Sequence, residues 1–255
     1  MSNKYIEKLE KYKNNSQEYF SDINNVFVEL SFEKLYVDDN SEPLENIITW
    51  YENEAANCTM LVEKIPLLDC KGWRLDQEQG SIVHQSGEFF RVDGIRVTDS
   101  TDREVIGGWE QPILTQIGYD GGILGLIRKR INDVPYYLVE AKAEPGNPNI
   151  VQISPTVQAT FSNIKRAHGG KLTPFVEFFM NPIENGATVI LDRWMSEDGG
   201  RLFNKRNKSM IVEVEVLDIP LATRYKWLTI NQLMRLTREV DAIVAPHIRG
   251  ILSVI

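Results

Sequence analysis

Apolar positions are sparse at the start of the chain and spaced for helices. Ile6, Leu9 and Tyr12 recur at steps of three, which predicts an opening helix, and residues 47–57 predict another. Residues 27–35, between them, have no clear period. Together they make an expected N-terminal helical segment over residues 1–60, packed on the main domain or on a second subunit.

From Val62 the texture changes to short β-type runs broken by glycine, first over residues 81–94. Residues 113–116 and 122–128 read as strands around the Tyr119-Asp-Gly-Gly122 turn. Asn132, Asp133 and Pro135 make a turn before a strand over residues 136–143. Residues 175–180, 188–192 and 210–216 predict further strands. Residues 156–168, closed by Gly169-Gly170, have the composition of a helix with a glycine stop. Residues 230–237 and 245–255 predict the last helices. The order implies an α+β domain over residues 61–255, a mixed sheet of antiparallel strands with flanking helices. There is no internal repeat and no glycine-rich Rossmann or P-loop fingerprint.

Composition narrows the class. With 42% hydrophobic and 25% charged residues in 255, the chain can bury a sizeable core. A net charge of −8 argues against a nucleic-acid partner, which needs a basic surface, but leaves room for a small anion held by a local cluster of donors. Cys58 and Cys70 fit neither a disulfide framework nor a zinc site and read as reduced thiols. The polar opening residues are unlike a signal peptide, and no apolar run approaches the roughly 18 residues of a membrane span. A cytoplasmic protein without a membrane partner is the expectation.

Candidate chemistry is densest after residue 140. Lys142, Glu144 and Asn147 close a predicted strand with a cation, a carboxylate and a turn. Gln152, Ser154, Thr156, Gln158, Thr160, Ser162, Asn163, Arg166 and His168 follow, an unusual collection of short polar side chains for a helix interior. On a helix, Thr156, Thr160 and Asn163 would share one face, either as a ligand surface or as a solvated, well-capped one. Arg201, Lys205, Arg206 and Lys208 form a basic cluster suited to a diphosphate, or a solvated loop. Trp109 and Gln111, before Pro112, offer a stacking face and an amide to a base, although a Trp is more often core. The histidines, His84, His168 and His247, have no metal-ligand spacing, and for His247 a structural role is the preferred reading.

Taken as words, these stretches resemble the NDP-hexose 2,3-dehydratase family. The resemblance rests on Ile65-Pro-Leu67, Gly72-Trp73, His84-x-Ser-Gly-x-Phe-Phe-x-Val-x-Gly94, Trp109-x-Gln-Pro-Ile113, Gln116 and Gly122-Ile-Leu-Gly125. It continues through Ala141-Lys-Ala-Glu-Pro-Gly-Asn147, Gln152-x-Ser-Pro-Thr-Val-Gln-Ala-Thr160, Ser162-Asn163, His168-Gly-Gly170, Ser196-Glu197 and Lys205-Arg-Asn207. Phe161 stands where the family has an arginine and Ile164 where it has a tyrosine, so one phosphate-capable cation and one phenol are missing.

The resemblance implies a Nudix-like fold and a nucleotide-diphosphate sugar substrate, of the thymidine-diphospho-4-keto-6-deoxyglucose type. It also implies loss of the C2 hydroxyl as water without a nicotinamide cofactor; the missing metal-ligand spacing adds the expectation of no metal, and a downstream ketoreductase is the further partner expected. Relatives carry two modules in tandem, so a single module is expected to pair as a homodimer. The Nudix pyrophosphatase word Gly-x5-Glu-x7-Arg-Glu-x2-Glu-Glu-x-Gly is absent, so fold likeness does not bring that activity. For the elimination, Glu144 is the expected base at C3 and Lys142 the enolate's partner, the two otherwise pairing only to shape the turn. His168 is the expected acid for the leaving hydroxyl, with His84 as the alternative. Arg166, Arg201, Lys205 and Arg206 would hold the diphosphate, and Trp109 and Gln111 would meet the base. The rival expectation is a non-catalytic sugar-nucleotide binding module.

Overall fold

The computed structural model describes residues 4–16, 25–98, 101, 105–118, 121–164, 172–215 and 222–255. Three helices open it: α1 (Lys4–Ser16), α2 (Asn25–Leu35) and α3 (Leu44–Ala56). On α1 the buried stripe is Tyr5 and Leu9, with Tyr12 behind them, while Ile6 faces outward. Helix α2 shows no single period because it is buried on several sides. Leu30 enters the main core, Phe32 packs at a tilt against Tyr5 and Tyr36, and Glu33 is buried against Arg128. Helix α3 buries Leu44, Ile47 and Tyr51, one face at steps of three and four. The N-terminal segment therefore packs on the sheet of its own chain.

The strands form two sheets. The smaller contains β1 (Trp73–Asp76), β2 (Ser81–His84), β3 (Phe90–Thr98), β4 (Gly108–Gln116) and β10 (Leu202–Phe203), in that order. Its faces are mostly half-buried or exposed. The larger contains β5 (Gly122–Ile131), β6 (Val134–Ala143), β7 (Val151–Pro155), β8 (Val157–Thr160), β9 (Ala187–Ser196), β11 (Arg206–Val214) and β12 (Tyr225–Leu228). Its main path runs β12-β6-β5-β11-β9, with β7 paired to β6 and β8 to β5. Strands β5 and β6 are joined by Asn132 and Asp133, at φ 50° and 67°, the left-handed pair a tight hairpin of twisted strands requires.

The large sheet is covered on both faces, so β5 reads as an unbroken buried run from Gly122 to Arg128. Leu124 and Leu126 face one core with α3, α6 (Ile230–Glu239) and α7 (Pro246–Ser253); Ile123 and Ile127 face another with Phe175, Val176 and Phe179. Gly125 is required here: a Cβ on it would lie 2.3 Å from the Phe179 ring, so only glycine lets the helical turn α5 (Glu177–Met180) settle on β5. Across the core, Arg128 is sealed in a charged network. It pairs with Glu33 at 2.7 Å, with Glu29 at 3.1 Å and with Glu213, while the Tyr137 hydroxyl donates to Glu33 at 2.6 Å.

Three expectations change. The helix over residues 156–168 is not formed: Thr156 sits between β7 and β8, and only α4 (Phe161–Ile164) is helical, residues 165–171 lying outside the described set. Every residue from Val151 to Val157 is buried, so the polar ones among them are interior to a sheet rather than on a helix face. The strand over residues 175–180 is instead α5, because Phe175, Val176 and Phe179 must reach one core from one side. The expected one sheet is in fact two, while its mixed character holds, with parallel pairings of β5 to β11 and β4 to β10 beside the antiparallel ones. Strands β4 and β5 consequently belong to different sheets rather than to one hairpin. Among the described residues no helix is long and apolar enough to cross a membrane.

Candidate functional site

Where the two sheets meet, a cavity of about 380 Å³ opens, within the usual size range for a small-ligand site. Leu124 and Ala159 line its apolar part, and Phe90 and Leu202 reach it from the small sheet. Its polar wall comes from separate elements: Lys142 on β6 with Glu144 just beyond, Gln158 and Thr160 on β8, Glu197 after β9, Asn207 on β11 and His247 in the first turn of α7.

Alternation along β6 places Glu140, Lys142 and Glu144 on one side. Lys142 Nζ lies 3.3 Å from Glu144 Oε1 and donates to the Gln158 carbonyl at 3.2 Å. Gln158 Nε2 in turn donates to Glu144 Oε1 at 3.3 Å. That leaves Gln158 Oε1 buried without a hydrogen-bond partner among the described residues, on a residue that lines the cavity. Behind Lys142, burial raises the Glu140 carboxyl, and Lys142 and Arg224 oppose the rise. Burial lowers the His247 imidazole below its ordinary value; Glu197 and Glu144 work against that shift and Lys142 adds to it. Asn207 Nδ2 donates to Glu197 Oε1, and Lys205 donates to Gln116 Oε1 while lying 5.7 Å from the Phe90 ring centre.

Of the residues singled out in the sequence, Lys142, Glu144, Gln158, Thr160, Asn163 and Lys205 meet at this cavity, and Gln116 reaches it through Lys205. Ser162 is buried behind Thr160 and shares a hydrogen bond with it at 2.9 Å. Others lie away from this cavity and are held by hydrogen bonds within the fold. Gln152 donates to the Ala242 carbonyl at 2.8 Å, Ser154 is buried, and Thr156 bonds the backbone of Ile127 and Leu138. Asn147 closes its own turn on the Ile150 carbonyl.

The remaining candidates lie elsewhere. His84 packs edge-on against Trp73 and Phe89 and bonds Ser86 at 2.7 Å, at the outer part of the small sheet. The Trp109 indole donates to Gln111 at 2.7 Å, and Gln111 to the Gly200 carbonyl at 2.9 Å. Arg201 is exposed and paired with Asp198, and Arg206 lies 4.6 Å from the centre of the Trp194 ring. Arg166 and His168 lie outside the described residues. Phe161 packs edge-on against Trp194 at 6.4 Å and joins the second core, an apolar role at a position where the family words carry a cation.

Sequence reasoning assigns no role to Glu197 or Asn207 and gives His247 a structural one. The first two stand in the words Ser196-Glu197 and Lys205-Arg-Asn207, which was a usable signal. His247 belongs to no such word, and its place depends on how α7 docks. Among the described residues no three His, Cys, Asp or Glu side chains are grouped to hold a metal ion.

Comparison with known proteins adds three findings. The family model of NDP-hexose 2,3-dehydratases matches residues 44–255. The chain is 38% identical over 212 residues to a dTDP-4-dehydro-6-deoxy-alpha-D-glucopyranose 2,3-dehydratase of Amycolatopsis orientalis, covering 82% of this chain and 44% of that protein. A protein of the same description from Saccharopolyspora spinosa is 36% identical over 213 residues, covering 84% of this chain and 42% of its own length. The chain thus spans less than half the length of these curated relatives. Among solved structures, a Nudix hydrolase from M. smegmatis aligns with 63% of this chain and 97% of its own, at 13% identity and a TM-score of 0.32, too slight a likeness to assign a fold.

Proposed function

The chain belongs to the NDP-hexose 2,3-dehydratase family, and from that premise we propose that it removes the C2 hydroxyl as water from an NDP-4-keto-6-deoxyhexose, with dTDP-4-keto-6-deoxyglucose the first substrate to try. The observation that carries the reading is the Lys142–Glu144 pair, 3.3 Å apart, on the wall of the inter-sheet cavity. A keto group at C4 acidifies the C3 proton. Glu144 takes that proton, and Lys142 faces the oxygen on which charge develops. Gln158, whose Oε1 has no hydrogen-bond partner among the described residues, offers the sugar an amide on the same wall. Lys205, at the small-sheet side of the cavity, supplies charge to the diphosphate.

A Nudix-like descent of the large sheet is part of the same reading and rests on the family resemblance alone. Part of the same reading is a pairing of two copies about a two-fold axis, which a monomer by light scattering at micromolar concentration would refute. Phe161 and Ile164, standing where the family words carry an arginine and a tyrosine, favour one rival, a module that binds the sugar nucleotide without turning it over. Incubation with the 4-keto sugar nucleotide, with and without a trapping ketoreductase, separates the two: a dehydrated product supports the lyase, and binding without product supports the module.

A further inference from the structure

Beside the Lys142–Glu144 pair the cavity holds another group able to exchange protons near neutral pH, the His247 imidazole. Its place is set by backbone. Ile153 N donates to Ile243 O at 2.7 Å and Ala245 N to Ile153 O at 2.9 Å, so the chain before α7 runs beside β7 as a parallel bridge at Val244. Pro246 starts the helix, and Ile248, Ile251 and Leu252 sink into the main core, which holds the first turn at the cavity. Charged groups from several elements surround the ring. Lys142 and Glu144 come from the end of β6, Glu197 from beyond β9, and Lys205 from before β11. The half-buried imidazole thus shares the cavity with groups of both signs.

We propose that His247 is the acid of the elimination, giving its proton to the C2 hydroxyl as the C2–O bond breaks. The proposal rests on the dehydratase reading above and completes its proton balance. The C3–H bond breaks and its proton goes to Glu144; the electron pair forms the enolate, whose oxygen faces Lys142. That pair then makes the C2–C3 double bond and restores the C4 carbonyl, while the hydroxyl leaves as water with the proton of His247. Glu144 afterwards releases one proton to solvent and His247 takes one up, so both return to their starting states. Nothing is oxidised or reduced.

The sign of the pH dependence follows. The acid is needed as imidazolium, and burial with Lys142 lowers its pKa while Glu197 and Glu144 act against the shift. In the unmutated protein, kcat/KM should therefore fall as pH rises through a value below the ordinary 6.5 of imidazole. Absence of that limb overturns the proposal without any variant.

His247→Gln is the second measurement, with dTDP as the binding probe and dTDP-4-keto-6-deoxyglucose as substrate. The expected result is unchanged dTDP affinity and persistent exchange of the C3 hydrogen with deuterated solvent. Water loss should slow by about 10²–10⁴-fold, the usual contribution of a positioned acid, and the pH limb should vanish. Unchanged turnover overturns the proposal, as does a parallel fall of exchange and turnover, which would put His247 at the first proton transfer. If the unmutated protein binds dTDP yet shows neither exchange nor product, the dehydratase reading itself has failed, and this role for His247 with it.

Discussion

Thr156 donates its hydroxyl to the Leu138 carbonyl at the fork where β5 and β6 part. The same oxygen accepts from Ile127 N at 3.0 Å, and Ile127 and Leu138 form the last rung of the β5–β6 ladder before β8 takes over β5 and β7 takes over β6. One side chain thus completes the backbone pairing on both sides of the split. The fork lies immediately below Gln158, Thr160 and Lys142, so its geometry sets the rear wall of the cavity.

Thr156→Val keeps the shape and removes both bonds. The buried N–H of Ile127 and carbonyl of Leu138 then lose a partner, at a cost of about 1–3 kcal/mol. A lower urea midpoint with unchanged slope is the expected result; an unshifted midpoint would show that the ladder closes without the hydroxyl.

Glu33→Ala should cost more. Its side chain is 3% exposed and pairs with Arg128, itself 2% exposed, so the change leaves a buried guanidinium less compensated. Loss of one partner of a buried pair typically costs about 3–5 kcal/mol. Because Glu33 lies on α2, the opening helices should loosen first, visible as faster amide exchange in residues 25–35 than in β5. Equal protection in both segments would argue that α2 is held by apolar contacts instead.

Glu144→Gln preserves shape and removes basicity. Nucleotide binding should survive while turnover falls by about 10²–10⁴-fold, and exchange of the C3 hydrogen should fall with it. Lys142→Met should also slow exchange, since the enolate oxygen loses its cation. Should Glu144→Gln keep both exchange and turnover, the carboxylate only shapes the strand end and the base is another residue.

The basic cluster divides. Lys205 faces the cavity and bonds Gln116, whereas Arg206 lies over the Trp194 ring. Lys205→Ala should weaken sugar-nucleotide binding by about 1.5–3 kcal/mol, the range of a charge-assisted contact, with a smaller effect on the chemical step. Arg206→Ala should change affinity far less. Calorimetric titration giving the reverse order would move the diphosphate to the Trp194 side.

How far the sequence could be read varies with how local the cause is. The Asn132-Asp133 hairpin, the strand at β6 and the amphipathic face of α3 were legible because each depends on neighbours a few residues away. Residues 156–160 have a helix's composition, yet residues 157–160 form strand β8, because the polar side chains of this stretch find partners far along the chain. Gln152 is satisfied by Ala242 and Thr156 by Leu138, so a stretch that looks solvated by composition lies inside a sheet. The same distance effect hid His247, which reaches the cavity only through the pairing of residues 243–245 with Ile153.

The order of residues alone thus determined the family words, the cation and carboxylate of Ala141-Lys-Ala-Glu144, and the strands and helices whose periodicity is carried within one segment. Tertiary structure decided which polar residues line the inter-sheet cavity and which face the core. It separated Lys142, Glu144, Gln158 and Lys205 from Gln152, Ser154 and Thr156, and it joined Glu197, Asn207 and His247 to the first group. The physical reason is that a buried polar group must be paired. The backbone that pairs it arrives from another strand or helix, at a position no local pattern specifies.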